Sequence, residues 1–279
     1  MLNTWKKTIL TLGVGALAAG IATNAAAFSL GGYTGPLIIK MVDWENVGPS
    51  TDGSGGFPGA GIAEDDYIYG IFRITSIEDT SANPLWQQGS SGEYLTGLFH
   101  DLQITSVTGV TTFTIDATDT NGASSNVEVY LRTSVPISPP TYNAATIADY
   151  TACGDCSLFL ALDFDTGILV PDDASTVLRA TADAVTSPLT GTGSGYLSVV
   201  GGSHGSLFNS NAVIDGNAGT HDMFFQHDFT TNSTSKPSFG WDLASNDPIT
   251  AFAVPEPASL ALMGIGLLGM GMGYRRRRA

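Results

Sequence analysis

Apolar and β-branched residues recur along most of this chain in short alternating runs. In Val127-Glu128-Val129-Tyr130-Leu131-Arg132 they alternate cleanly with polar ones, which predicts a strand with one buried and one wet face. Comparable runs cover 37–44, 67–77, 94–107, 111–117, 126–133, 157–164, 176–185, 196–200 and 223–229. Clusters of Gly, Asn, Asp or Pro separate most of them. No long segment outside the two ends keeps a 3.6-residue period, although 144–150 fits a short helix. The expectation is an all-β fold: a single β-sandwich with long loops, the jelly roll being one arrangement that fits. The stretch 48–61 reads as a long Gly/Pro/Ser loop. The stretch 134–140 reads as an extended crossover within one domain.

The ends follow a different pattern. Lys6 and Lys7 precede an apolar run over 9–21, and Ala25 and Ala27 frame an A-x-A cleavage site, so 1–27 is expected to be a signal peptide handled by the Sec machinery and signal peptidase. At the other end Pro255, Glu256 and Pro257 precede an apolar run over 258–274, closed by Arg275, Arg276, Arg277 and Arg278. A helix over that run would be roughly 26 Å long, enough for a thin bilayer. Its five glycines make it a weak helix, better suited to a temporary anchor than a permanent one. Arginines resist transfer through hydrocarbon and hold their end on the cytoplasmic side. The expected divisions are 1–27, a β-sandwich ectodomain over 28–253, and a sorting signal over 254–279.

This last segment resembles the PEP-CTERM sorting domain of Gram-negative bacteria, of which Pro-Glu-Pro, a hydrophobic segment and a basic stop are the three parts. The resemblance covers about a tenth of the chain. It implies processing by an exosortase, a membrane protease-transferase. It also implies a transient stay in the inner membrane, and then release to the cell surface or the extracellular space.

Charge alters the picture once the ends are set aside. Six of the 11 basic and one of the 26 acidic residues lie in them, leaving 5 and 25 in the body, a formal charge of −20. Such a body repels nucleic acid and anionic lipid, so no nucleic-acid partner is expected. Its acids make it soluble and could attract divalent cations.

Candidate chemistry is sparse. Cys153 and Cys156 flank two residues in an exported chain, which points to a small structural disulfide. His221-Asp222 and His227-Asp228 repeat within a few residues, but an offset of six on one strand puts the imidazoles roughly 20 Å apart, too far for one metal. Asp119, Asn121 and Glu128 surround Gly122 in partial likeness to a calcium loop, so calcium is a candidate cofactor; the competing reading is an Asn-Gly turn between two strands. Asp163 and Asp165 share a strand face. The sequence 191–195 (GTGSG) fails the nucleophile-elbow pattern and reads as a Gly/Ser turn. No catalytic constellation stands out, and an enzyme is not expected. Trp44, Trp86 and Trp241 are candidate glycan contacts. The leading expectation is a sorted structural protein of the cell surface or matrix, associated with exopolysaccharide or biofilm. The alternative is a lectin-like carbohydrate-binding module, with calcium as an aid.

Overall fold

A computed structural model describes residues 28, 30–49, 61–122, 124–133, 156–186, 188–231 and 241–254. Outside them lie Ala25, Ala27, Cys153, Pro255, Glu256, Pro257, the apolar run, the four terminal arginines, and the segments expected to form the 144–150 helix, the 134–140 crossover and most of the 48–61 loop.

The described residues form thirteen strands: β1 (Gly35–Gly48), β2 (Tyr67–Asp79), β3 (Pro84–Gln87), β4 (Tyr94–Gly109), β5 (Phe113–Asp119), β6 (Val127–Arg132), β7 (Cys156–Asp165), β8 (Leu178–Ala182), β9 (Thr190–Gly201), β10 (Val213–Ile214), β11 (Thr220–His221), β12 (Met223–Thr231) and β13 (Leu243–Ala253). Every run expected from alternation falls on a strand. Two short 3-10 turns, Ser90–Gly92 and Gly205–Leu207, are the helical elements among the described residues.

Eleven strands make one antiparallel sheet, and its ladder closes. Pairing runs β1–β2–β4–β6–β7–β9–β12–β13 and back to β1. The expected two-layer sandwich therefore gives way to a barrel. Closure depends on two long strands, each of which takes two successive partners along one edge. β4 pairs with β6 over its first half and β5 over its second. β9 pairs with β8 over its first half and β7 over its second. β5 and β8 pair with each other, so the wall is complete above and below a seam.

Inward residues alternate with outward ones, as the pleat demands. Leu37, Ile39, Met41, Phe72, Ile74, Leu95, Leu162, Leu197, Met223 and Ala251 fill the interior. The stretch expected as a Gly/Ser turn is instead the first half of β9, a fully paired strand. Its glycines face aromatic rings: Gly191 lies opposite Phe229 and Gly193 opposite His227. A Cβ on Gly193 would come within 1.9 Å of His227 Nε2. Gly70 and Phe99, with Gly97 and Phe72, repeat the device between β2 and β4. Interior packing leaves an apolar cavity of about 60 Å³, well short of the roughly 150 Å³ that admits benzene. The barrel is a filled core rather than a ligand-holding calyx.

One polar group interrupts that core. Asp43 is 1 % exposed and accepts a hydrogen bond from Ser245, its cross-strand neighbour, while Glu45 Oε1 lies 3.3 Å from His227 Nδ1. Asp43 Oδ2 is buried without a hydrogen-bonding partner. Burial first, and Glu45 second, push the Asp43 carboxyl well above the usual range. A second apolar cluster covers the outside of the wall, where Tyr69, Ile71 and Leu98 pack under Trp241.

Candidate functional site: an acidic seam in the barrel wall

Polar side chains gather where the wall divides. β5 and β6 are collinear on the same edge of β4, so loop 120–126 bulges out between them; the Asn-Gly turn does lie between two strands, but they do not pair as a hairpin. Loop 166–177 leaves the wall in the same way between β7 and β8. Asn126, 0 % exposed, ties the two halves together. Its Nδ2 donates to Asp119 Oδ1 (2.7 Å) and its Oδ1 accepts from the Phe164 amide (3.1 Å). Its own amide donates to Leu162 and its carbonyl accepts from His100. Sequence reading passed over this residue, whose only signal was a polar amide abutting a strand start.

His100 and Asp101 form a bulge in β4, with Asp101 at φ +62°. The bulge turns the His100 ring outward between Asp101 Oδ2 (2.6 Å) and Glu128 Oε2 (3.0 Å). Burial pulls the imidazole pKa down, but Glu128 and Asp101 outweigh it and the net shift is upward. Glu128 also accepts from Ser125 Oγ. Asp119 Oδ1 accepts the Asn121 amide at 2.6 Å, and Asn121 Nδ2 donates to the Ser125 carbonyl. The expected calcium ligands Asp119, Asn121 and Glu128 thus hold their own loop and His100. Among the described residues no group of three His, Cys, Asp or Glu side chains is arranged to hold a metal ion.

Next along the seam, Asp163 and Asp165 do share the outer face of β7. Desolvation, Asp119 and Asp165 push the Asp163 carboxyl up to about 6, and its Oδ1 is buried without a partner. Asp165 lines a pocket of about 370 Å³ together with Thr166, Asp172, Ser198, Asp215, Asn217 and His221. His221 stands between two carboxylates, its Nδ1 3.0 Å from Asp165 Oδ2 and its Nε2 3.0 Å from Asp215 Oδ2. Tyr196 stacks on the imidazole at 4.4 Å. The hydrogen bond to His221, then the amides of Gly219 and Asn217, hold Asp215 below the usual carboxylate range. The Ser198 hydroxyl donates to Asp165. Asn217 fastens the pocket's two loops: its Nδ2 donates to the Leu169 carbonyl (2.6 Å) and its Oδ1 accepts the Asp172 amide (3.1 Å). The pocket therefore offers carboxylates, hydroxyls and an amide around a fixed imidazole, groups that accept hydrogen bonds from hydroxyl-rich ligands and attract cations.

The His-Asp pairs do not share one strand face. His221 belongs to β11 and faces this pocket, whereas His227 on β12 points into the barrel. Asp222 between them is buried and accepts the amides of Val199, Ser210 and Asn211. Two of the three tryptophans, Trp86 and Trp241, are corrected as glycan contacts. Trp86 (5 % exposed) lies in the main core and Trp241 (0 %) in the outer cluster; Trp44 is half-buried under the Arg73 guanidinium, 5.6 Å from its ring. Cys156 opens β7 opposite Arg132 and is not a free thiol; the bond to Cys153 stands as an expectation of the sequence.

Both ends of the described body meet at one pole of the barrel. Phe28, the expected first mature residue, is buried against Phe159, Trp86 and His204. β13 is paired on both sides by β1 and β12, and Val254 beyond it donates its amide to the Leu207 carbonyl at 2.8 Å. The stretch that follows is identifiable. Residues 253–278 match the model of the PEP-CTERM protein-sorting motif, so the matched region begins at the last residue of β13. The chain carries this motif, which implies an exosortase as processing partner, export, and a surface or extracellular location. No curated protein matches the chain. Among the described residues no helix is long and apolar enough to cross a membrane.

Proposed function

We propose that this chain is an exosortase-sorted structural protein of the cell surface or extracellular matrix, associated with exopolysaccharide, and not an enzyme. The observation that carries this reading is the junction at Ala253, where a closed acidic barrel passes directly into the sorting motif. The signal peptide delivers the barrel across the inner membrane. The tail, spanning 258–274, holds it there until Pro255-Glu256-Pro257 is processed. The test is fractionation of a Gram-negative host that has an exosortase and makes exopolysaccharide, using an epitope within the barrel. Recovery with the polysaccharide matrix supports the proposal; recovery only in the inner membrane refutes it.

The pocket around His221 favours a second reading, a lectin-like module that holds a sugar through Asp165, Asp172, Asn217 and Ser198. This moves the carbohydrate contact away from the buried tryptophans. Co-sedimentation with isolated exopolysaccharide distinguishes the two. Binding lost in Asp172→Ala but kept in Trp44→Ala supports the module; no binding by the wild-type protein leaves the structural role.

A further inference from the structure

A body of charge −20 is repelled by an anionic bilayer, yet its tail gives it almost no room to stand off. Val254 is pinned to the wall through Leu207, and only Pro255, Glu256 and Pro257 separate it from the apolar run. The four peptide steps from Val254 to Ala258 reach at most roughly 14 Å, less than two Debye lengths at physiological salt. While the tail is uncut, the end of the barrel that carries Val254 must lie within that distance of the headgroups.

That end is unlike the rest of the surface. Among the described residues of its rim, 28, 30–36, 199–214 and 250–254 carry no Asp, Glu, Lys or Arg, and Glu93 and Arg132, at the start of β4 and the end of β6, are buried. Burial lowers the pKa of His204, the one histidine in these segments, and so disfavours a positive charge there. On the β2–β3 side, Glu78 is paired with Lys40 at 2.8 Å and the Asp79 carboxylate accepts from Ser81 and Asn83 in its own turn. Leu158 (39 % exposed) and Val200 (49 %) add aliphatic surface. An open hollow beside Val200, formed also by Gly202, Ser206 and Asn209, has no charged lining. The opposite end carries Glu64, Asp65, Asp66 and Asp183, and the middle of the wall holds the acidic seam.

We propose that this pole, whose described surface over 28, 30–36, 199–214 and 250–254 carries no charged side chain, is a docking face for the bilayer surface in the unprocessed protein. The inference rests on the sorting reading above. Docking directs the acidic seam sideways and the acidic pole outward, and it presents Pro255-Glu256-Pro257 at the headgroups, where a membrane protease works.

The test uses the full chain reconstituted in vesicles of phosphatidylethanolamine and phosphatidylglycerol without exosortase. A fluorophore is placed at Ser206→Cys on this pole or at Val110→Cys, which tips the β4–β5 turn at the far end. A headgroup-attached quencher lipid should quench the Ser206→Cys label several-fold more than the Val110→Cys label. Ten Gly/Ser residues inserted after Val254 should abolish that difference while leaving vesicle flotation intact. Equal quenching at both positions in a chain that floats overturns the docking face alone. A full chain that does not float, like one ending at Val254, overturns the anchoring that the docking face requires.

Discussion

Asp163 is the residue at which the seam's charge is most crowded. Its carboxyl, pushed up to about 6 by burial, Asp119 and Asp165, is ionised at pH 7 in a place that disfavours the charge. Its unfolded counterpart ionises near 4. Folded protein therefore retains a proton that unfolded protein has released, and stability falls as pH rises from about 4 to about 6. Asp163→Asn should raise stability at pH 7 by about 1 kcal/mol, once solvent screening of this partly exposed group is allowed for. The gain should vanish below pH 4 in urea denaturation; a variant weaker at pH 7 would mean that the charge is stabilising. Asp43 works in the same direction from inside the barrel. Its carboxyl is raised well above the usual range, so its contribution is likewise lost as pH rises from the unfolded value through the folded one. In Asp43→Asn the urea midpoint should fall less between pH 4 and pH 8 than in wild type; an unchanged slope would show that Asp43 ionises freely. These residues were partly legible in the sequence. The spacing of Asp163 and Asp165 placed them on one face. The pairing of His221 with Asp165 could not be read, because it depends on how the β10–β11 hairpin folds back onto the end of β7.

At the scale of elements, alternation located nine strands because their faces differ in solvent. It missed β13, which contains Pro248, and whose neighbour β1 turns Asp43 and Glu45 inward. Proline is tolerated there because no β12–β13 pairs form between the flanking pairs Phe225–Ile249 and Phe229–Ser245. The first half of β9 was misread because glycine usually marks a turn, whereas here it makes room for the rings of Phe229 and His227. Gly193→Ala should accordingly cost about 2–4 kcal/mol, since its Cβ would meet a buried imidazole. A loss below 0.5 kcal/mol in denaturant midpoint would show that His227 swings aside. Asn126→Ala should cost about 2–3 kcal/mol by leaving the Phe164 amide and Asp119 without their partner. Amide exchange at Phe164 should accelerate in that variant; unchanged protection would mean that the seam does not depend on this side chain. Closure itself was not legible, because it depends on where β4 and β9 change partners.

At the scale of the molecule, the charge is distributed along the barrel, and both ends of the described body, Phe28 and Val254, lie at its weakly charged pole. A sandwich with free edges would expose unpaired backbone to other chains. The closed ladder removes most of those edges, β3 alone of the main sheet's strands keeping one partner. That this barrel is cargo of a sorting tail is decided by the intact mass of protein recovered from the surface of a Gram-negative host that has an exosortase. That mass should lack residues 258–279, and a variant with Pro255, Glu256 and Pro257 replaced by alanine should keep them and stay in the inner membrane. Surface protein that retains Arg275, Arg276, Arg277 and Arg278 in wild type and variant alike would contradict it.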